Sequence, residues 1–512
     1  MNGAESLVHT LLRSGVDTCL ANPGTSEMHF VAALDRIPGM RCVLGLAEGV
    51  VSGAADGYQR MAEKPAATLL HCAPGLGNAL ANLHNARRAG AQMVNIVGDQ
   101  ATYHRPLDAP LTGDTEGWAR PVSGWVRTAT EAARVGADAA VAVQAARSGQ
   151  GTIATLILPA DTAWTEGGVV GEALAPAPRS PVSPDALQEA VRALRSGERT
   201  VILLGDAALR GRALMDAYRV SAATGVRIMA QGSNARIARG RGRPAVERVP
   251  YPVDMALSAL EGTRHLILVG SKAPVAFFAY PGKPGNLYPQ DCAVHILARP
   301  EQDLADALAR LAEALGAPHA APPDPGPAPE AEGGTPTAEG FARTLAAVMP
   351  EQAVIIDEGI TFGRGFFPAT HCAPPHDWLA LCGGAIGEGI PLATGAAIGA
   401  PGRRVVALQA DGSAMYTVQG LWTQAREKLD VTTVIFSNRK YAILLGELAA
   451  VGANPGRTAL DMLDLGNPDL DWVRMAQSMG VEAARADTLE RCAELMRASF
   501  ARSGPFVIEL MT

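Results

Sequence analysis

Short apolar runs recur along this 512-residue chain, and each is followed by a longer stretch whose apolar positions repeat with a helical period. Runs at 18–22, 41–46, 66–71 and 93–97 stand near the start, and runs at 353–357, 378–381, 405–409 and 431–437 stand near the end. VILLGD at 201–206 and HLILVG at 265–270 lie between them, and PFVIELMT closes the sequence. Strands that alternate with helices predict mainly parallel sheets flanked by helices, the α/β class. Two stretches break the alternation. EGGVVGEALAPAPRSPVSPD at 166–185 and GAPHAAPPDPGPAPEAEGG at 316–334 are rich in Pro, Gly and Ala, keep no apolar period, and read as linkers. They divide the chain into three expected domains, 1–165, 185–315 and 338–512, each of ordinary domain size.

Composition narrows the classes. Apolar residues make up 48% and charged residues 19%, which suits a globular protein with a substantial interior. The net charge of −7 and the absence of a long basic run argue against nucleic acid as a partner. Seven cysteines without a CxxC pair argue against a disulfide framework or a zinc site, and fit a reducing cytoplasm. The opening MNGAESLVHTLLRSG reads as an amphipathic helix and not as a signal peptide. No uncharged apolar run reaches the roughly 18 residues a membrane span needs, so no membrane segment is expected.

Open parallel sheets bind ligands beyond the carboxyl ends of their strands. The residues standing there are therefore the candidates. In the first domain they are Asn22-Pro23-Gly24-Thr25, Glu48, His71 and Asp99-Gln100. Each also has an ordinary reading. Glu48 could be an acidic first turn favoured by the helix dipole, Thr25 a helix cap, and His71 a satisfied core histidine.

The last domain is sharper. VVALQADGSAMYTVQGLWTQAREKLDVTTVIFSNRK reads as strand, tight turn, helix, strand. Asp411 ends the first strand, and Asn438, 27 residues further on, ends the second. A right-handed crossover brings both ends to one sheet edge. A carboxylate and an amide oxygen there suit Mg²⁺ that also takes phosphate oxygens. Gly412 would allow close backbone approach, and Ser413 would start a helix facing a diphosphate.

With these residues in view, Asp411-Gly412-Ser413 and Asn438 resemble the thiamine diphosphate (ThDP) binding motif, with Ala410 in place of its first glycine. NPGTSE at 22–27, LAEGVVSGAADGYQRM at 46–61, LLHCAPGLGNALANLHNA at 69–86 and CGGAIGEGIPLATGAAIG at 382–399 appear in family order. The chain is similar to the acetolactate synthase and benzoylformate decarboxylase group of 2-oxo acid enzymes.

The resemblance implies a ThDP-binding fold with pyrimidine-binding, central and diphosphate-binding domains. It implies that Glu48 hydrogen-bonds the aminopyrimidine of the cofactor. The Gly384 carbonyl would take its amino group, and Ile386 would wedge beneath it. Asp411, Asn438 and the Lys440 carbonyl would hold Mg²⁺, and Gly412, Ser413, Glu358 and Thr361 would lie near the cofactor. Thr25 would face the substrate carboxylate, and His71 would move protons. No histidine matches the one that the decarboxylases carry in the central domain; APVAFFAYPG at 273–282 offers Phe278 and Ala279 there.

The implied activity is a ThDP- and Mg²⁺-dependent decarboxylase or carboligase on a small 2-oxo acid, with an aldehyde or second oxo acid as a possible acceptor. An acetolactate synthase catalytic subunit, with or without a regulatory partner, is the nearest alternative. A non-catalytic ThDP-fold binding protein is the alternative from another class. The implied assembly is a homodimer or homotetramer. FAD is not expected, since no GxGxxG follows a strand in 185–315 and ARIARGRGRPAVERV matches a flexible basic loop only weakly. Glu388 reads as a helix cap in preference to a pocket acid, and Leu444 and Leu445 as pocket lining or core.

Overall fold

A computed structural model describes residues 1–512. Its strands form three sheets, whose central strands are apolar runs buried on both faces, as parallel sheets require, while edge strands such as Arg41–Leu44 and Glu482–Ala486 are partly exposed. The first sheet has six parallel strands in the order Arg41–Leu44, Thr18–Ala21, Ala66–Leu70, Met93–Asp99, Ile153–Pro159, Trp125–Thr128. The second has five, in the order Glu247–Arg248, Arg227–Ala230, Thr200–Leu204, His265–Val269, Ala293–Ala298. The third runs Glu482–Ala486, Phe506–Met511, Val431–Ser437, Val405–Ala410, Val354–Glu358, His376–Ala380, Ile237–Arg239. This is the α/β architecture expected from the alternation. No helix is long and apolar enough to cross a membrane.

The seventh strand of the third sheet was not expected. Ile237–Arg239 lies within the central stretch of the sequence, yet pairs antiparallel with His376–Ala380. Its arginines explain the docking. Arg236 Nε donates to Asp377 Oδ1 (3.1 Å), and Arg243 Nη1 donates to the His376 carbonyl (2.8 Å). The Arg239 guanidinium stacks 3.5 Å from the Phe367 ring centroid. ARIARGRGRP, read as a flexible basic loop, is therefore a clasp that ties the central segment to the C-terminal sheet.

The N- and C-terminal sheets meet through helices Glu48–Ala62 and Gly389–Gly399. Almost every residue of the second helix is buried, so it has no polar face. Small residues let the backbones touch: a Cβ at Gly57 would strike the Leu392 carbonyl, and one at Gly395 the Ala54 carbonyl. This close crossing fixes the turn at Glu48 relative to the 383–389 loop.

Candidate functional site

Glu27, which the sequence reading passed over, organises the edge of the first sheet. Thr25–Glu27 is a single 3-10 turn before helix Met28–Arg36, so Thr25 is not the cap of that helix and its residue is exposed. The Glu27 side chain is fully buried, and its Oε2 accepts from the Gly24 amide (2.7 Å). The same oxygen lies 2.9 Å from His71 Nδ1. A buried carboxylate thus orients the imidazole, leaving Nε2 as its other functional atom. Ser26 Oγ and the half-exposed His71 ring lie 3.4 Å apart, and Cys72 Sγ is 3.2 Å from Ser26. Burial pushes the Cys72 thiol up to about 11, which makes it a poor nucleophile at neutral pH. The signal for Glu27 was present in NPGTSE: a carboxylate three residues after a turn glycine can close that turn.

Glu48 is the first residue of helix Glu48–Ala62, but its buried carboxylate does not cap that helix. Its Oε2 accepts from Asn78 Nδ2 (3.1 Å) on the neighbouring helix Cys72–Ala89. A Cβ at Gly75 would meet Glu48 Oε1 at 2.8 Å and His71 Cβ at 3.4 Å. Glu48 and His71 therefore flank one glycine. The same helix straps the 383–387 loop. Asn85 Nδ2 donates to the Ala385 carbonyl (2.7 Å), and the Ala385 amide donates back to Asn85 Oδ1 (3.1 Å). Asn82 Nδ2 reaches both the Gly49 carbonyl (2.8 Å) and the Gly387 carbonyl (3.5 Å).

On the C-terminal sheet, Asp411 follows Ala410, which pairs with Phe436 of the next strand, so Asp411 and Asn438 emerge side by side. Asp411 Oδ1 takes the Gly412 amide (2.8 Å) and Oδ2 the Arg439 amide (2.7 Å). Asn438 Oδ1 takes the Lys440 amide (3.0 Å). Burial holds the Asp411 carboxyl above the ordinary range in spite of those amides. A cation there would relieve that cost, and the oxygen donors suit a hard divalent ion. Ser413 does not start a helix: Asp411–Ala414 is one turn, and Ser413 Oγ donates to the Ala410 carbonyl (3.0 Å) while accepting from Gln409 (2.5 Å). The Tyr441 ring lies against Gly412, where a Cβ would collide with it.

Glu358 is buried with both carboxylate oxygens engaged. Its Oε1 takes the Gly387 amide (2.6 Å), and Oε2 takes the Gly389 amide. Its side chain thus shapes the loop from within. Burial pushes its carboxyl up to about 7. Thr361 is half-buried and follows Ile360, whose φ of +47° is strained for a β-branched residue. Ile386 is half-buried, and Gly384, at φ +81°, has the Phe277 ring against it. Phe278 is exposed, while Tyr280 turns to Glu447 (2.9 Å). Helix Ala442–Ala450 buries none of its residues, so Leu444 and Leu445 are not core. Glu388 occupies the cap position of its helix but makes no capping bond; it is buried against Arg60 and Asp56.

Helix Cys72–Ala89 thus straps the acid and imidazole at the edge of the first sheet to the 383–387 loop of the third, within one α/β architecture. The chain belongs to the thiamine pyrophosphate enzyme family: residues 1–118 match its N-terminal TPP binding domain and residues 365–510 its C-terminal TPP binding domain. It is 51% identical to "Putative acetolactate synthase large subunit IlvX" of Mycobacterium tuberculosis, covering 100% of this chain and 99% of that one. It is 28% identical to benzoylformate decarboxylase of Pseudomonas aeruginosa over 98% of this chain and 97% of that one. The fold also resembles a thiamine diphosphate-dependent 4-hydroxybenzoylformate decarboxylase of Rhodococcus jostii RHA1, with a TM-score of 0.86, 24% identity, and 100% and 99% coverage. The protein is thus a ThDP-dependent enzyme related to both named groups.

Proposed function

We propose that this enzyme is a Mg²⁺-dependent decarboxylase or carboligase of 2-oxo acids. The observation that carries the reading is the pairing of His71 with buried Glu27 (2.9 Å), next to Glu48 across Gly75. It gives an oriented imidazole beside a buried acid, as proton transfer needs. Glu48 would hydrogen-bond the aminopyrimidine ring, the Gly384 carbonyl would accept its amino group, and Ile386 would support its bend. Asp411, Asn438 and the Lys440 carbonyl would hold Mg²⁺, while Gly412, Ser413, Glu358 and Thr361 shape the surrounding turns. When bound, ThDP supplies a carbon nucleophile and an electron sink for cleavage beside the carbonyl. Thr25 would position the substrate carboxylate, and His71 would carry protons to and from the carbonyl oxygen. The domains 1–165, 185–315 and 338–512 would be the pyrimidine-binding, central and diphosphate-binding units of a cytoplasmic homodimer or homotetramer.

Carbon dioxide release from a panel of 2-oxo acids, with ThDP and Mg²⁺ added, tests the activity; release from none of them would overturn it. Hydrogen–deuterium exchange at C2 of bound ThDP tests Glu48. Glu48→Gln should slow that exchange by roughly 10² or more, and an unchanged rate would remove the role. Asp411→Ala should abolish Mg²⁺-dependent ThDP binding, and normal binding would sink the metal assignment. A second reading, an acetolactate synthase-like enzyme, is favoured by the 51% identity to a chain bearing that name. Acetolactate as the product from pyruvate would select it.

A further inference from the structure

We propose that Glu27, His71 and Cys72 form a binding site for a borderline-soft divalent ion, Zn²⁺ above all, and that an ion held there stops His71 from carrying protons. The second half rests on the 2-oxo acid reading above; the site itself does not. A carboxylate oxygen, an imidazole nitrogen and a sulfur from these three residues all lie within 4.8 Å of one another. His71 Nδ1 is 3.1 Å from Glu27 Oε1 and 3.8 Å from Cys72 Sγ. Tetrahedral zinc, with bonds of about 2.0–2.3 Å, spaces a nitrogen and an oxygen ligand by about 3.4 Å and a nitrogen and a sulfur ligand by about 3.6 Å. Both observed spacings are within a few tenths of an ångström of those values.

The chain builds this cluster from two neighbouring strand ends. His71 and Cys72 follow Ala66–Leu70, and Glu27 lies in the turn after the adjacent strand Thr18–Ala21. The Gly24 amide holds Glu27 Oε2 (2.7 Å), which leaves Oε1 for an ion. Ser26 Oγ sits among the three donors. It bonds Glu27 Oε1 and lies 3.4 Å from His71 Nδ1 and 3.2 Å from Cys72 Sγ. An ion takes the place of that hydroxyl, which turns into the adjoining cavity of about 290 Å³. Ser26, His71 and Cys72 all line that cavity, so it gives the ion an entry and a water as fourth ligand.

The donor set selects the ion. The oxygens of Asp411 and Asn438 suit Mg²⁺, whereas nitrogen and sulfur donors favour Zn²⁺ or Co²⁺. On binding, the Cys72 thiol loses its proton to water, and the sulfur gives an electron pair to the metal. His71 gives the Nδ1 pair, so its ring proton sits on Nε2. No lone pair is then left on the ring to accept a proton, and a filled site holds the enzyme inactive until the ion is removed.

The test uses the holoenzyme with ThDP and saturating Mg²⁺, titrated with Zn²⁺ and, in parallel, with Co²⁺. The wild type should bind one Zn²⁺ per chain. Bound Co²⁺ should show a sulfur-to-metal charge-transfer band and the intense visible bands of a four-coordinate ion. Cys72→Ala and His71→Ala should weaken Zn²⁺ binding by roughly a hundredfold or more, since even groups that only orient a ligand are worth about 10- to 100-fold. Cys42→Ala, which changes an exposed cysteine elsewhere, should bind as the wild type does. Thermal unfolding checks the variants, and if Cys72→Ala does not fold, the cobalt spectrum of the wild type decides alone. A cobalt spectrum without the sulfur band, or Zn²⁺ affinity unmoved in folded Cys72→Ala, overturns the site. One equivalent of Zn²⁺ should cut CO₂ release from a 2-oxo acid by roughly a hundredfold, and a chelator followed by fresh Mg²⁺ should restore it. Full activity with the site filled overturns the block on His71. A wild type that releases no CO₂ even without Zn²⁺ removes the 2-oxo acid reading and the block with it, and the cobalt band then decides the site by itself.

Discussion

Arg60 Nη2 lies 3.4 Å from Glu388 Oε1, with both side chains only 1% exposed, at the junction of the N- and C-terminal sheets. The same guanidinium donates to Asp56 through Nε (2.8 Å) and Nη2 (2.7 Å). Its Nη1 donates to the Ala380 carbonyl (2.8 Å) and the Ala235 carbonyl (3.3 Å). One side chain therefore ties together the N-terminal helix, the central segment and the C-terminal sheet. Burial, with Asp56 close by, drives the Glu388 carboxyl well above its ordinary range, and Asp56 is the nearer partner of Arg60.

Removing the cation strands a buried carboxylate, which costs about 3–5 kcal/mol. Arg60→Ala should lower the unfolding midpoint in urea accordingly. Glu388→Gln, which keeps the shape of a carboxyl whose charged form burial disfavours, should shift stability by less than about 1 kcal/mol. Equal losses in the two variants would show that the pair depends on the Glu388 charge and overturn this expectation.

Glu358 makes stability depend on pH. Its carboxyl titrates at about 7 in the fold, above its ordinary value of 4.5, because it is buried. The folded state thus holds a proton that the unfolded chain releases first. Stability is greatest below the unfolded value, falls as pH rises towards 7, and levels off above it. Glu358→Gln should flatten that descent. Thermal midpoints measured from pH 5 to 8 would show it, and a wild type whose midpoint rises over this range because of Glu358 would contradict the sign.

The Glu27–His71 pair gives a kinetic expectation. His71→Ala should lower kcat/KM by roughly 10². Glu27→Gln keeps a partner for the ring but loosens the hydrogen bond that fixes its orientation. It should lower kcat more than it raises KM. A kcat equal to wild type would leave Glu27 only a structural part.

Most of the strand framework was legible because buried parallel strands are written as compact apolar runs, as in Val431–Ser437 and Thr200–Leu204. Their ends differ from expectation by a residue or two, as at Val354–Glu358. Asp411, Asn438, Glu48 and His71 were legible because strand ends mark positions. Ile237–Arg239 was not, since three residues among arginines carry no strand signal and their pairing depends on Asp377 and Phe367, far off in sequence. The Arg60–Glu388 contact was hidden for the same reason: each residue alone reads as an ordinary helix charge, and only the packing of Gly57 and Gly395 buries them together.

Glu447 offers a last test, of the helix that follows the Asp411–Asn438 turn. Helix Ala442–Ala450 is strongly apolar yet buries no residue, so packing within the chain gives it little hold. Glu447 supplies a polar one: its Oε2 accepts from Tyr280 (2.9 Å) and its Oε1 from Tyr251 (3.4 Å). Tyr251 packs on Phe277 at 5.5 Å, and Phe277 rests against Gly384. The tether thus runs from the 383–387 loop through an aromatic cluster to the helix. Burial, with donation to the Glu447 carboxylate, raises the Tyr280 hydroxyl above its ordinary value. Glu447→Ala should therefore speed proteolytic cleavage within 442–461 several-fold without moving the global unfolding midpoint. Glu447→Gln should restore protection in part, because an amide oxygen still accepts one tyrosine. Unchanged cleavage in Glu447→Ala would mean that the apolar face, covered by another chain, holds the helix without help from Glu447.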